Sequence, residues 1–158
     1  MPMHSFDAML QLQPQCPAPA QAGDPLHYLA HTHAGYWNMV GPFGGATAAL
    51  LLQAVLQHPK CQGDPLSLTV NFAGPVVQGA MHITATPLRT NRSTQHWLVL
   101  MHQRDERSGE ELLSTSATVV TALRRPSLNA ERVCPSSSAP IPAPENCPRF
   151  DTHGGAGA

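Results

Sequence analysis

The sequence predicts an α+β fold in which a curved antiparallel sheet wraps one buried central helix. Three observations predict it. Residues Ala46 to Gln57 are built from Ala, Leu and Gln, which favour helix, and only Thr47, Gln53 and Gln57 are polar among them. A helix apolar nearly all round is a buried helix. The chain downstream of it alternates with period two through four successive runs, the pattern of strands with one covered face. A sheet's apolar face needs a partner layer, and this helix supplies it. The 158 residues are enough for one domain with its own core, without help from disulfides or a metal.

The elements follow in order. Phe6, Met9 and Leu10 suggest a short strand, and Gln11 to Pro25, with no hydrophobic period, an extended loop. His27 to His33 is weakly strand-like, with Tyr28 and Ala30 alternating against His27, Leu29, His31 and His33. Gly41-Pro-Phe-Gly-Gly45 breaks that pattern and opens the helix, which His58-Pro59 stops because proline disfavours α at the residue before it. Leu66, Leu68, Val70 and Phe72 share one face of the next strand, with Ser67, Thr69, Asn71 and Ala73 on the other, and Gly74-Pro75 ends it. Met81, Ile83 and Ala85 oppose His82, Thr84 and Thr86 in a second strand. Thr94 to Gln103 forms a third, with Trp97 turned inward, and Asp105 to Gly109 a polar turn. Glu111 to Leu123, rich in β-branched residues, forms a fourth.

Proline marks the flanks. Of 16 prolines, five fall in residues 1–25, five in 26–125 and six in 126–158. The ordered domain is therefore expected within residues 1–125, and residues 126–158 are expected to be a disordered Pro/Ser/Ala-rich linker or tail. Nine basic and ten acidic residues leave a net charge of −1 and no basic stripe, which argues against nucleic-acid partners. No apolar run approaches the roughly 20 residues that span a bilayer, and Met1 to Leu12 lacks the pattern of a secretory signal. The expectation is a cytoplasmic protein with no membrane partner. Cys16, Cys61, Cys134 and Cys147 form no C-x-x-C pair and read as free thiols. His27, His31 and His33 have a spacing that allows metal binding, but no Cys, Asp or Glu nearby completes a shell, so they read as a polar strand face. No metal site and no cofactor is expected. Neither a G-x-S-x-G nucleophile elbow nor a phosphate-binding G-x-x-x-x-G-K-[ST] loop occurs.

Three stretches carry a family resemblance. Gly41-Pro-Phe-Gly-Gly-Ala-Thr-Ala-Ala-Leu50, Leu66-Ser-Leu-Thr-Val-Asn-Phe-Ala-Gly-Pro-Val76 and Arg89-Thr-Asn-Arg-Ser-Thr-Gln-His-Trp97 resemble the N-terminal hotdog of the thioesterase II-like acyl-CoA thioesterases, over roughly residues 5–126. The resemblance implies a single hotdog fold. Members of that family carry two hotdogs joined by a Pro-rich linker, so residues 1–125 are expected to be the first hotdog and residues 126–158 the linker. The family's catalytic Asp, Thr and Gln belong to the second hotdog, and no residue here matches them.

Candidate site residues cluster around the helix start. Gly44 and Gly45 allow close backbone approach, and the first N–H groups of a helix lack internal partners at the positive end of its dipole. The Gly45 N–H is a candidate to hold a thioester oxyanion, against the plainer reading that both glycines only make a tight turn. Between Leu26 and Arg104 the sole carboxylate is Asp64, so the expected acid or base is missing. His33 is the candidate base, against the plainer reading of a solvated histidine on a strand edge, and Asn38 the candidate group to orient water or polarise a carbonyl. Phe43, Gly44, Thr47 and Asn71 are candidates to line the substrate site, and Arg92, with Arg89, to meet the phosphates of coenzyme A, against the plainer reading of a solvated turn with one structural arginine. The expected function is hydrolysis of fatty acyl-CoA. The alternative is a non-catalytic acyl-CoA-binding or structural half-domain, which the scarcity of carboxylates favours. A hotdog hydratase ranks last, for want of an Asp beside the helix start. A lone hotdog exposes a sheet edge, so a homodimer formed by sheet pairing is expected.

Overall fold

The computed structural model describes residues 3–15, 23–105, 107–126 and 142–147. The chain divides into two compact units, Met1–Arg125 and Pro126–Ala158. In the second, only Pro126 and 142–147 are described, and they include one 3-10 turn at Pro144–Asn146. The expected disorder of the tail therefore falls almost wholly outside the described residues.

The first unit is a six-stranded antiparallel sheet with one long helix, the hotdog architecture. The chain runs α1 (Ser5–Met9), β1 (Gln13–Pro14), β2 (Leu26–His31), a 3-10 turn (Ala34–Tyr36), α2 (Gly44–Leu56), β3 (Asp64–Phe72), β4 (Ala80–Thr90), β5 (Thr94–Arg104) and β6 (Glu111–Ala122). The strands lie in the order β1-β2-β4-β5-β6-β3, so β3 crosses over to form one edge. The helix packs on β4, β5 and β6. Leu50, Leu51, Ala54 and Val55 from the helix meet Tyr28, Met81, Ile83, Ala85, Trp97, Val99, Met101, Ala117 and Val119 from the strands, all but fully buried. Period-two alternation in β4 and β5 thus converts directly into one covered face and one wet face.

Two expectations differ from the structure. Residues Phe6 to Leu10 are not a strand. His4 adopts extended backbone and its ring nitrogen accepts from the Phe6 N–H, an N-cap that starts the short helix α1 and leaves Met9 as its one buried residue. The supposed loop after it contains a two-residue strand that pairs Gln13 with Leu29 and Pro14 with Tyr28. The apolar face of β3 also behaves differently from its neighbours. Leu68 and Val70 pack against the core, but Leu66 and Phe72 remain 69% and 55% exposed. The reason is reach. A 13-residue helix is about 20 Å long and one helix wide, too narrow to cover both centre and edge of a sheet some 24 Å across.

Candidate functional site

Three segments meet where α2 begins: the loop before it, its first turn, and the end of β3. The loop is locked by its own hydrogen bonds. Trp37 and Pro42 form an isolated bridge, the Asn38 N–H donates to the Gly41 carbonyl (2.8 Å), and the Phe43 N–H donates to the Tyr36 carbonyl (2.8 Å). Asn38 Oδ1 accepts from the N–H groups of Val40 (3.1 Å) and Gly41 (3.2 Å). That pair of bonds fixes which way the carboxamide faces. Its oxygen is committed to the loop, so what it offers outward is the Nδ2 amide, a donor.

The helix start is also a donor surface. The Phe43 carbonyl accepts from Ala46 N (2.9 Å) and Thr47 N (3.3 Å), and no side chain caps the turn. The N–H groups of Gly44 and Gly45 are the ones a helix leaves without an internal acceptor. Aromatic rings approach both glycines closely, so a side chain at either would push a ring aside. A Cβ at Gly45 would lie 2.5 Å from Phe43 Cε1, and one at Gly44 would lie 3.2 Å from Phe72 Cζ. Phe43 and Phe72, themselves 61% and 55% exposed, flank the donors.

An open cleft fronts this turn, lined by Asn38, Val40, Gly44, Thr47, Phe72 and Gly74 among others. Behind it lies a narrow apolar cavity between Met9, His33, Tyr36, Leu50 and Met81. Thr47 and Pro42 line both spaces, and Thr47 is itself buried. No carboxylate lines either one. His33 Nδ1 accepts from the Gly35 N–H (3.1 Å), capping the 3-10 turn, so a neutral His33 carries its proton on Nε2.

The structure therefore brings together Asn38, Phe43, Gly44, Gly45 and Thr47, and sets His33 on the inner cavity. It does not bring Asn71 there. Phe72 faces the helix start, and strand alternation turns Asn71 to the other face, exposed. Arg92 is remote too. It lies in the β4–β5 turn, beside the far end of α2, about 20 Å along the helix from Gly44. Phe72 and Met9 were missed as lining residues. Phe72 was legible as the last apolar residue before Gly74-Pro75, and Met9 was hidden by reading α1 as a strand. His27 and His31 sit exposed on the outer sheet face, with His27 Nδ1 3.0 Å from Thr84 Oγ1. Among the described residues no group of three metal-ligating side chains stands together.

Three titrating groups perturbed by burial lie at the other end of α2. Burial lowers the His58 imidazole below its ordinary value, with the Asp24 carbonyl opposing and Lys60 assisting, and its ring stands 4.9 Å from Trp97. Burial, with Cys61 adding, pushes Tyr28 up to about 12. Burial also raises the Cys61 thiol, against the Thr121 hydroxyl. Gln95 ties this end shut: Oε1 accepts from Gln62 N (2.6 Å), and Nε2 donates to the Lys60 carbonyl (2.9 Å) and Thr90 Oγ1 (3.0 Å).

A long buried helix in a curved antiparallel sheet, its N-terminus opening on a cleft, defines a hotdog fold. The family of acyl-CoA thioesterase N-terminal domains matches residues 33–123, and the chain belongs to that family. Among solved structures, the chain is 38% identical to a conserved hot dog fold protein of unknown function from Alicyclobacillus acidocaldarius, covering 96% of this chain and 50% of that one with a TM-score of 0.73. A protein from Thermobifida fusca, provisionally assigned as a thioesterase II, shares 20% identity over 96% of this chain and 50% of its own, with a TM-score of 0.67. A variant of a phenylacetic acid degradation protein from Thermus thermophilus shares 18% identity over 77% of this chain and all of its own, with a TM-score of 0.59. These last two show likeness of fold. The chain thus spans about half the length of the first two structures. No curated protein matches it. Among the described residues no helix is long and apolar enough to cross a membrane.

Proposed function

We propose that the chain is the hotdog half of an acyl-CoA thioester hydrolase, releasing a fatty acid and coenzyme A, with residues 1–125 as the hotdog and 126–158 as a linker or tail. The observation that carries this is the uncapped start of α2 at Gly44-Gly45, opening on an apolar cleft inside a fold whose family is acyl-CoA thioesterase. The thioester carbonyl would lie over this turn. The N–H groups of Gly44 and Gly45 and the Asn38 Nδ2 amide would donate to its oxygen, where negative charge develops as water attacks. Phe43 and Thr47 would hold the acyl group at the mouth of the inner cavity, whose apolar walls suit a hydrocarbon chain. His33 would donate from Nε2, since action as a base would require moving its proton to Nδ1 and giving up the Gly35 contact.

The groups that would meet the carbonyl oxygen, the Gly44 and Gly45 N–H and the Asn38 amide, are all donors, and no carboxylate lines the cleft. The group that activates water is then supplied from outside this hotdog. The open β3 edge and the exposed Leu66 and Phe72 support pairing with a second hotdog, as a homodimer, which would also cover the acyl chain. The half-buried free thiol of Cys61 fits a cytosolic setting. The missing base equally favours a second reading, an acyl-CoA-binding half without turnover. Thiol release from acyl-CoA esters of several chain lengths, measured on protein of known oligomeric state, decides between them. Turnover is expected. Saturable acyl-CoA binding with no release at any chain length would establish the binding module instead.

A further inference from the structure

The inner cavity behind the cleft is almost closed. It holds about 10 Å³, room for a single water at most and too little for a hydrocarbon chain. Pro42, Ala46, Thr47 and Leu50 on its wall belong to the loop and helix that carry the site, and Met81 to the sheet. Met9 alone comes from α1, and it is the one residue that helix buries, at 5% exposure.

The helix α1 is lightly held. It has five residues, and a helix so short has little stability of its own in water. Among the described residues its hydrogen bonds stay local: the Ala8 N–H donates to the His4 carbonyl (3.0 Å), the Leu10 N–H to the Phe6 carbonyl (3.0 Å) and the Gln11 N–H to the Ala8 carbonyl (3.3 Å). Side-chain contact is what joins it to the domain. Met9 enters the core, Leu10 packs partly against it, and the rings of Phe6 and Tyr36 meet edge-on with centroids 5.8 Å apart. Firm attachment begins at the buried Leu12 and at β1, where Gln13 and Pro14 pair with β2 and the Gln15 N–H donates to the His27 carbonyl (2.9 Å). Residues 3–11 are thus a short arm hinged at Leu12, with an apolar side chain seated at the inner end of the cleft.

We propose that α1 is a displaceable plug: Met9 occupies the acyl subsite, and a long acyl chain enters by pushing Met9 and α1 out of it. This rests on the acyl-CoA reading above. Short acyl groups stay in the cleft in front of Thr47 and leave α1 docked. A longer chain trades burial of its own methylenes for exposure of Met9. Burying a methionine side chain gains about as much as burying two to four methylenes, so that many carbons bring no added affinity and only chains beyond them profit. Met9 thereby sets which chain lengths are held, and the Phe6–Tyr36 contact sets how firmly the plug is seated.

The test uses S-alkyl-coenzyme A thioethers of increasing chain length, which bind without being hydrolysed, on the full chain. Calorimetric titration should show affinity rising with each methylene, then flat over about two to four of them, then rising again. In Met9→Ala the flat stretch should vanish, and the longest thioethers should bind about ten- to a hundredfold tighter than to the parent. Phe6→Ala leaves the cavity wall intact and loosens the plug, so it should tighten long thioethers and leave short ones as they are. Hydrogen exchange supplies a second readout. The amides of Ala8, Leu10 and Gln11 should exchange faster when a long thioether binds, whereas a ligand that only stabilises the fold slows exchange. Far-ultraviolet circular dichroism of each variant confirms that it folds. Chain-length profiles that both variants leave unchanged, or slower exchange in residues 4–11 with a long thioether bound, would overturn the proposal. If no thioether binds at any length, uptake of N-phenylnaphthylamine by Met9→Ala and not by the parent, reversed by free fatty acid, would leave the plug standing and remove the acyl-CoA reading alone. No uptake would overturn both.

Discussion

Asn38 separates two roles that a single alanine substitution would confuse. Its Oδ1 holds the loop through the Val40 and Gly41 N–H groups, while its Nδ2 is the proposed donor to the thioester. Asn38→Asp keeps an oxygen in the loop-holding position and replaces the outward amide with a carboxylate oxygen. One of the two loop bonds is exposed and the other only part-buried, so each contributes at the low end of the usual range, about 0.5 kcal/mol. Asn38→Ala should therefore cost about 1 kcal/mol of stability, and Asn38→Asp close to none. Loss of one preorganised oxyanion donor costs roughly 10²–10³ in rate. The cleft is open to water, so the lower figure, about a hundredfold, is expected for both variants. Urea unfolding gives the stability of each, and thiol release from an acyl-CoA ester gives the rate. A stable Asn38→Asp protein that hydrolyses as fast as the parent, or faster, would refute the donor assignment and leave Asn38 as a loop-holding residue only.

Two further outcomes concern the opposite end of the helix. His58 resists protonation when folded but takes a proton near its ordinary 6.5 when unfolded. The unfolded chain thus binds more protons below about 6.5, so this group's contribution is intact above that pH and is lost as pH falls further. The urea midpoint should drop on acidification through that window, and less steeply in His58→Gln; equal slopes would remove His58 as the cause. Gln95→Leu keeps the volume but strands Gln62 N–H and the Lys60 carbonyl, which should cost about 2–4 kcal/mol by urea unfolding. A loss under 1 kcal/mol would show that water replaces both contacts.

The donors of the cleft, Asn71 and Arg92 make the same point about where a site comes from. Gly44, Gly45 and Asn38 are close in sequence, so their meeting needs only a locked loop and a helix start, and local reading found them together. Asn71 was placed at the site by its neighbourhood in the strand, yet a one-residue step turns it to the far face and brings Phe72 inward instead. Arg92 was selected for its chemistry, and nothing local reveals that the length of α2 separates it from Gly44.

By itself the sequence determined the sheet, the buried helix and its stop at His58-Pro59, because side-chain periodicity and proline geometry act within a few residues. It determined as well that a carboxylate base is scarce in this hotdog. Local capping by His4 was written there too, but its signal was outweighed by the scattered apolar residues Phe6, Met9 and Leu10. Only the tertiary structure decided that β3 crosses to the edge of the sheet and that Leu66 and Phe72 stay uncovered. Those are consequences of strand order and of one helix's limited width, quantities that depend on contacts between residues far apart in the chain and so leave no periodic trace in it.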